Sequence, residues 1–251
     1  MSHSKLIFVS GSSDGLGFLT AQQLIANGHH VHLHARNEQR KKEIERRLRG
    51  YACVHVADFE DQEAVGKLAK TLTTFGTFDS IIHNAGVYNS PSAVLFQVNV
   101  LAPYLLTALT PPPKKLIYVS SDMHLGGVHH LNHLQNGKVA INYSDSKLLL
   151  LLLSMAVARH WSSVLVNALH PGWVPTKMGG NKAPDDLEQG FQTQIWLSTS
   201  TDNNAQVSGR YFFHKKESRY HLDADNTELQ DQLLSVCSTF TGITFPTNGY
   251  E

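Results

Sequence analysis

The 251-residue sequence predicts an α/β fold: one doubly wound parallel sheet with helices on both faces, residues 1–251 forming a single domain. Three observations carry that expectation. Short β-rich runs alternate with longer helix-period segments almost from end to end, the links between them are short, and no repeat, low-complexity linker or composition break divides the chain. Apolar residues at 41% and charged residues at 17% suit a buried core and exclude the charge-rich make-up of a disordered chain.

The elements follow in order. "KLIFVSG" reads as the first strand. In "GLGFLTAQQLIANG", Phe18, Leu19, Leu24 and Ile25 roughly keep helical spacing, and Asn27-Gly28 supplies a left-handed stop. "HHVHLHA" is the second strand. "NEQRKKEIERRLRG" is a charged helix capped by Asn37 and ended by Gly50, and "YACVHVAD" the third strand. The alternation continues through the helix "DQEAVGKLAKTLTTFG", the strand "FDSIIHNAG", the helix around "AVLFQVNVLAPYLLTAL" and the strand "KLIYVSS". A long helix from about Tyr143, the strand "SVLVNALHPG", a helix near Leu187 to Ser198 and the strand "GRYFF" complete it. Met123 to Val139 and Lys177 to Asp186 escape the pattern and read as loops just after strand ends, where such sheets bind ligands.

Bulk charge narrows the function. Lys plus Arg and Asp plus Glu are 21 each, so no global field draws the chain to nucleic acid or anionic lipid, and a small ligand fits better. Cys53 and Cys237 match neither a zinc spacing nor a disulfide framework. The apolar pattern starting by Leu6 leaves no room for a signal peptide, and the apolar stretch Leu148 to Ala158 is far short of the ~20 residues that span a bilayer. A cytoplasmic protein with no membrane span is expected.

Four motifs carry chemistry. In "SGSSDGLG", Gly11, Gly15 and Gly17 allow a tight strand-to-helix turn whose backbone can meet an anionic group, with Ser13 and Leu16 in the same loop. The spacing differs from the commoner G-x-G-x-x-G, and a turn with no ligand is the competing account. In "HNAG", Ala85 and Gly86 admit a flat ligand while Asn84 can brace neighbouring backbone. "YVSSDMH" places Ser120 and Ser121 at a strand end. In "INYSDSK", Tyr143 and Lys147 share a helix face. An ammonium about 4 Å from the phenol oxygen would lower its pKa of about 10 into the neutral range. A ring that packs while the lysine snorkels is the alternative.

Taken in this order, and followed by "HPGWVPT", the motifs resemble the short-chain dehydrogenase/reductase family, with its Rossmann-type fold, from about Lys5 to Leu234. The stretch after Tyr143 and the tail "LQDQLLSVCSTFTG" look most like its retinol-dehydrogenase-like and carbonyl-reductase branches. The resemblance implies an oxidoreductase with Tyr143 as acid/base, Lys147 lowering its pKa and holding the nicotinamide ribose, and Ser121 bonding the substrate carbonyl. Ser120 is the competing serine. Asn99 would support a water in a proton relay. Pro171, Gly172 and Thr176 would flank the nicotinamide, and Asp58 would meet the adenine unless it serves as a helix cap.

The end of the second strand decides the cofactor. An acid there would bind a free ribose 2′-OH, whereas an arginine accommodates a 2′-phosphate. Ala35 stands in the acid's place and Arg36 follows, which predicts NADP(H) over NAD(H). Asp14 argues the other way. His124, His129, His130 and His133 crowd the insertion between Ser121 and Tyr143, but with no cysteine or carboxylate at ligand spacing no metal is expected. The apolar helix after Tyr143 resembles one that pairs with its copy in this family, so a homodimer is expected. The implied substrate is a small carbonyl or alcohol. A non-catalytic nucleotide-binding scaffold of the same fold, and epimerisation or dehydration on the same frame, are the rivals.

Overall fold

Alternating apolar runs from first strand to last are drawn, in the computed structural model, into one eight-stranded sheet. Residues 4–247 are described, so both ends of the span expected as a single domain lie outside the described residues. The strands are β1 (Leu6–Val9), β2 (His30–Ala35), β3 (Cys53–Val56), β4 (Ser80–His83), β5 (Lys115–Val119), β6 (Leu165–His170), β7 (Arg210–Phe213) and β8 (Lys216–Glu217). Their spatial order is β3-β2-β1-β4-β5-β6-β7-β8. β1 to β7 are parallel and β8 pairs antiparallel with β7, an addition to the expected sheet. The order reverses between β1 and β4, and a crevice opens there beyond the strand ends.

One face is covered by α1 (Gly15–Ala26), α2 (Glu38–Arg47) and α8 (Leu187–Thr199), which bury Phe18, Leu24, Ile44 and Ile195 against Ile7, Val9, Leu33 and Ile82. The other is covered by α3 (Gln62–Thr73), α4 (Ser92–Phe96), α5 (Ala102–Leu109), α6 (Leu131–Gln135), α7 (Tyr143–His160) and α9 (Thr227–Thr241). The segment expected as one helix around Asn99 runs from α4 through a π-helical turn at Gln97–Leu101 into α5. Ser92–Leu109 is apolar and long enough to cross a membrane by length and composition, yet 72% of it is buried inside this fold.

α7 begins on a capping box: Asn142 Oδ1 accepts the Asp145 amide at 3.1 Å while Asp145 Oδ2 accepts the Asn142 amide at 2.8 Å. Leu148 to Leu153 are buried on every side of the helix. The covering surfaces belong to the same chain. β5, β6 and α9 pack on α7, so the face offered to a second copy is occupied.

Two expected loops resolve differently. Lys177 to Asp186 is irregular, but Met123 to Val139 holds a 3₁₀ turn at Asp122–Gly126 and α6. The correction has a packing cause. Leu131 and Leu134 are buried three apart, and His130 at φ +51 turns the chain into the helix.

Candidate active site

The loop between β1 and α1 is stitched to the loop after β4. Ser10, 1% exposed, accepts the amides of Asn84 and Ala85, each at 2.9 Å. Asn84 Nδ2 donates to the Ser10 carbonyl at 3.0 Å and the Gly11 carbonyl at 3.3 Å. Glycine is required twice here. Gly11 sits at φ +65 with a Cβ position 2.9 Å from Ala85 Cα, and a Cβ on Gly17 would run into the Asn84 amide and the Gly11 carbonyl. The Gly11 amide donates to His34 Nδ1 at 3.0 Å, and His34 Nε2 donates to the Ala57 carbonyl at 2.8 Å. Burial lowers the His34 pKa to about 4, so the ring stays neutral and keeps that acceptor.

A cleft of about 380 Å³ lies along this seam. It is lined by Gly11, Ser13, Gly15, Leu16 and Gly17, by Arg36 after β2, Asp58 after β3, and Asn84, Ala85 and Gly86 after β4. Tyr143 and Lys147 of α7 and Pro171 and Thr176 after β6 close it, so these expected site residues converge on one space. Asn99, Ser121 and Gly172 are not on its wall. Gly172, at φ +85, makes the turn after Pro171, where a Cβ would come 2.6 Å from the Asp185 carboxylate. Asp58 accepts the Glu60 amide at 3.0 Å, while Asp61 caps α3, which separates the two roles left open for that region.

Met178 lines the cleft as well, and so do His34, Arg40 and Lys177, which were not singled out in the sequence. Arg40 lies in the first turn of α2, its amide capped by Asn37, and lines the same cleft as Arg36. The adverse charge at Asp14 is answered. Its carboxylate caps α1 through the Gly15 amide at 2.9 Å, is hydrogen-bonded by Lys177, and lies 3.9 Å from Arg40. Burial opposes ionisation of Asp14, but those bonds and the Lys177 charge hold its pKa below the ordinary value.

At the far end, Ser121 lies near the Tyr143 hydroxyl, while its own Oγ donates to the Asp122 carboxylate at 3.2 Å and accepts the Met123 amide at 3.2 Å. Ser120, 3% exposed, donates to the Lys147 carbonyl at 3.0 Å, so the two serines have different partners. Asn99, fully buried, spends its amide on structure: Oδ1 accepts the Val87 amide at 2.8 Å, and Nδ2 donates to the Val87 carbonyl at 3.0 Å and Ser146 Oγ at 2.9 Å. Its Oδ1 and Lys147 Nζ each lie 3.3 Å from the Cβ position of Gly86.

At Tyr143 burial outweighs any lowering by Lys147. Its ammonium is 5.6 Å from the Tyr143 ring centre and donates to the Val119 carbonyl at 2.9 Å. Burial dominates both groups, pushing the phenol up to about 12 despite the Ser121 contact and the Lys147 ammonium down to about 8.

His124 is buried and bonded to the Ser121 carbonyl, His129 precedes α6, and His130 stacks on His133 at 5.8 Å. Among the described residues no group of three or more His, Cys, Asp or Glu gathers at metal-binding range.

Comparison with known proteins matches this geometry. Residues 5–187 fit the family model described as short chain dehydrogenase. Short-chain dehydrogenase chry4 of Gibberella zeae is 37% identical, over 96% of this chain and 98% of its own. Retinol dehydrogenase 14 of Mus musculus is 29% identical, over 96% of this chain and 87% of its own. The Pseudomonas aeruginosa RhlG/NADP active-site complex superimposes with a TM-score of 0.68 at 20% identity, covering 85% of this chain and 98% of that one. With the glycine loop, the braced HNAG turn and the Tyr143–Lys147 helix assembled on this sheet, the chain belongs to the short-chain dehydrogenase family of oxidoreductases.

Proposed function

We propose that the protein is an NADP(H)-dependent oxidoreductase that moves a hydride between nicotinamide and a ketone, aldehyde or secondary alcohol, with Tyr143 exchanging the proton. The observation that carries this reading is the continuity of one cleft from the glycine loop to Tyr143 and Lys147. Gly15, Leu16 and Gly17 put the α1 N-terminus on the cleft wall, where its amides suit a phosphate. Arg36 and Arg40 suit a 2′-phosphate, and the Lys177 bond to Asp14 offsets the adverse charge. The NADP in the RhlG complex agrees with that choice. When bound, the nicotinamide supplies or takes the hydride.

The residues do the rest. A phenol held at about 12 is fully protonated at neutral pH, so Tyr143 stands ready as a donor in the reductive direction. Ser121 orients the carbonyl oxygen and strengthens its bond as negative charge develops. Lys147, at the cleft floor, carries its charge below about pH 8 and is placed to hold the ribose. Reductive turnover should therefore fall as pH rises through about 8, because the ammonium is lost there while the phenol keeps its proton. Tyr143→Phe should lower kcat by about 10²-fold or more and leave the NADPH Kd nearly unchanged. Unchanged turnover would remove the proton-donor role, and tighter NADH than NADPH binding would remove the cofactor preference. NADPH binding with no turnover across ketones, aldehydes, steroids, retinoids and quinones would favour the scaffold reading. The homodimer expected through α7 would require α9 to leave its place. Sedimentation at micromolar concentration tests whether copies associate at all.

A further inference from the structure

We infer that the His34 imidazole is a positioning residue that braces two walls of the cleft, the glycine loop and the loop after β3, for the adenosine half of NADPH; the inference rests on the cofactor reading above. Three chain segments meet at this ring. The Gly11 amide donates to Nδ1 at 3.0 Å, and Nε2 donates to the Ala57 carbonyl at 2.8 Å. Phe59 stacks on the ring, with centres 4.2 Å apart and planes 17° apart. Gly11, His34, Asp58 and Phe59 all line the cleft. One side chain near the end of β2 therefore joins the loop after β1 to the loop after β3.

The bonding pattern admits one arrangement of protons. A backbone amide can only donate and a carbonyl can only accept, so Nδ1 carries the lone pair and Nε2 the proton. A neutral imidazole satisfies both partners from a rigid ring, which an aliphatic side chain of similar size cannot do. His34 is 2% exposed, so water does not readily take the place of either bond. The backbone holds the ring's own strand in place: the Ser12 amide donates to the His34 carbonyl at 3.0 Å, and Ser12 Oγ accepts the His34 amide at 3.0 Å.

Gly11 shows what the brace adds. At φ +65 it makes the turn, and its two polar groups are held from different sides, the amide by His34 and the carbonyl by Asn84 Nδ2 at 3.3 Å. Without the imidazole, Ser10 and Asn84 still tie the loop to β4, but nothing ties the Gly11 amide to Ala57, the residue before Asp58. The two walls are then free to shift against each other, and ordering them falls to the ligand as a cost of binding. Tyr143 and Lys147 stand on α7, and none of these bonds reaches that helix. The loss belongs to dinucleotide affinity and not to the chemical step.

The experiment compares wild type with His34→Leu and His34→Asn. Fluorescence titration reads the Kd of NADPH, and competition reads that of the adenosine bisphosphate that forms its 2′-phosphorylated half; kcat at saturating NADPH and Tm are measured alongside. Leucine removes both bonds, whereas asparagine keeps an acceptor near the place of Nδ1 and falls short of Ala57. His34→Leu should weaken NADPH and the bisphosphate by the same factor, about tenfold, with kcat within about twofold of wild type. His34→Asn should fall between the two. If His34→Leu does not fold, His34→Asn decides: a rise of about threefold in both Kd values supports the brace, and wild-type Kd values overturn it. Unaltered affinity, a loss seen with NADPH but not with the bisphosphate, or a fall in kcat at saturating NADPH would also overturn it. Wild type that binds no NADPH would remove the cofactor reading and this inference with it, whereas NADPH binding without turnover would remove only the oxidoreductase reading and leave the Kd comparison decisive.

Discussion

At Gly17 a single hydrogen decides whether the nucleotide loop exists. A methyl group there meets the Asn84 amide and the Gly11 carbonyl, both fixed by the Ser10 network. Gly17→Ala should therefore abolish measurable NADPH binding in fluorescence titration while the far-UV spectrum stays native; a Kd within twofold of wild type would show that the loop yields. Tyr143 and Lys147 make the complementary point about charge. Four residues apart on a helix, they share a face, but the lysine's strongest partner is the Val119 carbonyl across the cleft floor. The pairwise Coulomb argument omitted burial, and burial sets both pKa values.

At the scale of the element, α7 joins the catalytic end to the rest of the core. Its first turn is held from outside as well as by its own cap: Asp145, 2% exposed, also accepts the Val128 amide at 2.7 Å. Gly127 packs so closely that a Cβ would come 2.6 Å from the Ser144 carbonyl. The insertion before Tyr143 is thus a buttress for the helix start. Farther along, α9 covers α7 with Leu233, which is fully buried in the same cluster as Leu148 to Leu153. Leu233→Ala should destabilise the protein by about 2–5 kcal/mol, read as a lower denaturation midpoint at constant slope. A shift under about 0.5 kcal/mol would mean that α9 contributes little to the α7 core.

Across the whole molecule, histidines sit where a sheet protein usually buries apolar side chains. His32, His34 and His55 lie between β2, β3 and the aromatic rings of Phe8, Phe59, Phe75 and Phe78, with His32 Nδ1 and His55 Nε2 2.9 Å apart. Burial first, and neighbouring positive groups second, lower His32 and His55 to about 4; burial also lowers His34 and His170 to about 4 and His83 to about 3. Each folded-state value lies below the unfolded value of 6.5, so the unfolded chain binds protons first. Stability is therefore fully present above about pH 6.5 and is lost as pH falls from there toward 4. Denaturant midpoints at pH 7.5 and pH 5 should differ clearly, with the lower value at pH 5; equal midpoints would mean that these rings are solvated or already charged in the fold.

The alternation of strands and helices, the Asn37 cap, the glycine loop and the Tyr143 helix were legible because each depends on neighbours within a few residues. Period, cap chemistry and left-handed glycines are local physics. β8 was not legible: the turn before it uses His214 and Lys215 at positive φ instead of the glycine or asparagine that marks such hairpins. Nor was α6, whose single turn is held by burial of Leu131 and Leu134 and not by its own propensity. The sequence by itself determined the sheet, the order of the motifs and most of the residues that line the cleft. Only the tertiary structure decided that Ser120 is spent on the Lys147 carbonyl, where Lys147 puts its ammonium, what covers α7 and that Lys177 answers Asp14. Those outcomes rest on contacts between segments far apart in the chain, and on the loss of water around them, neither of which a local pattern contains.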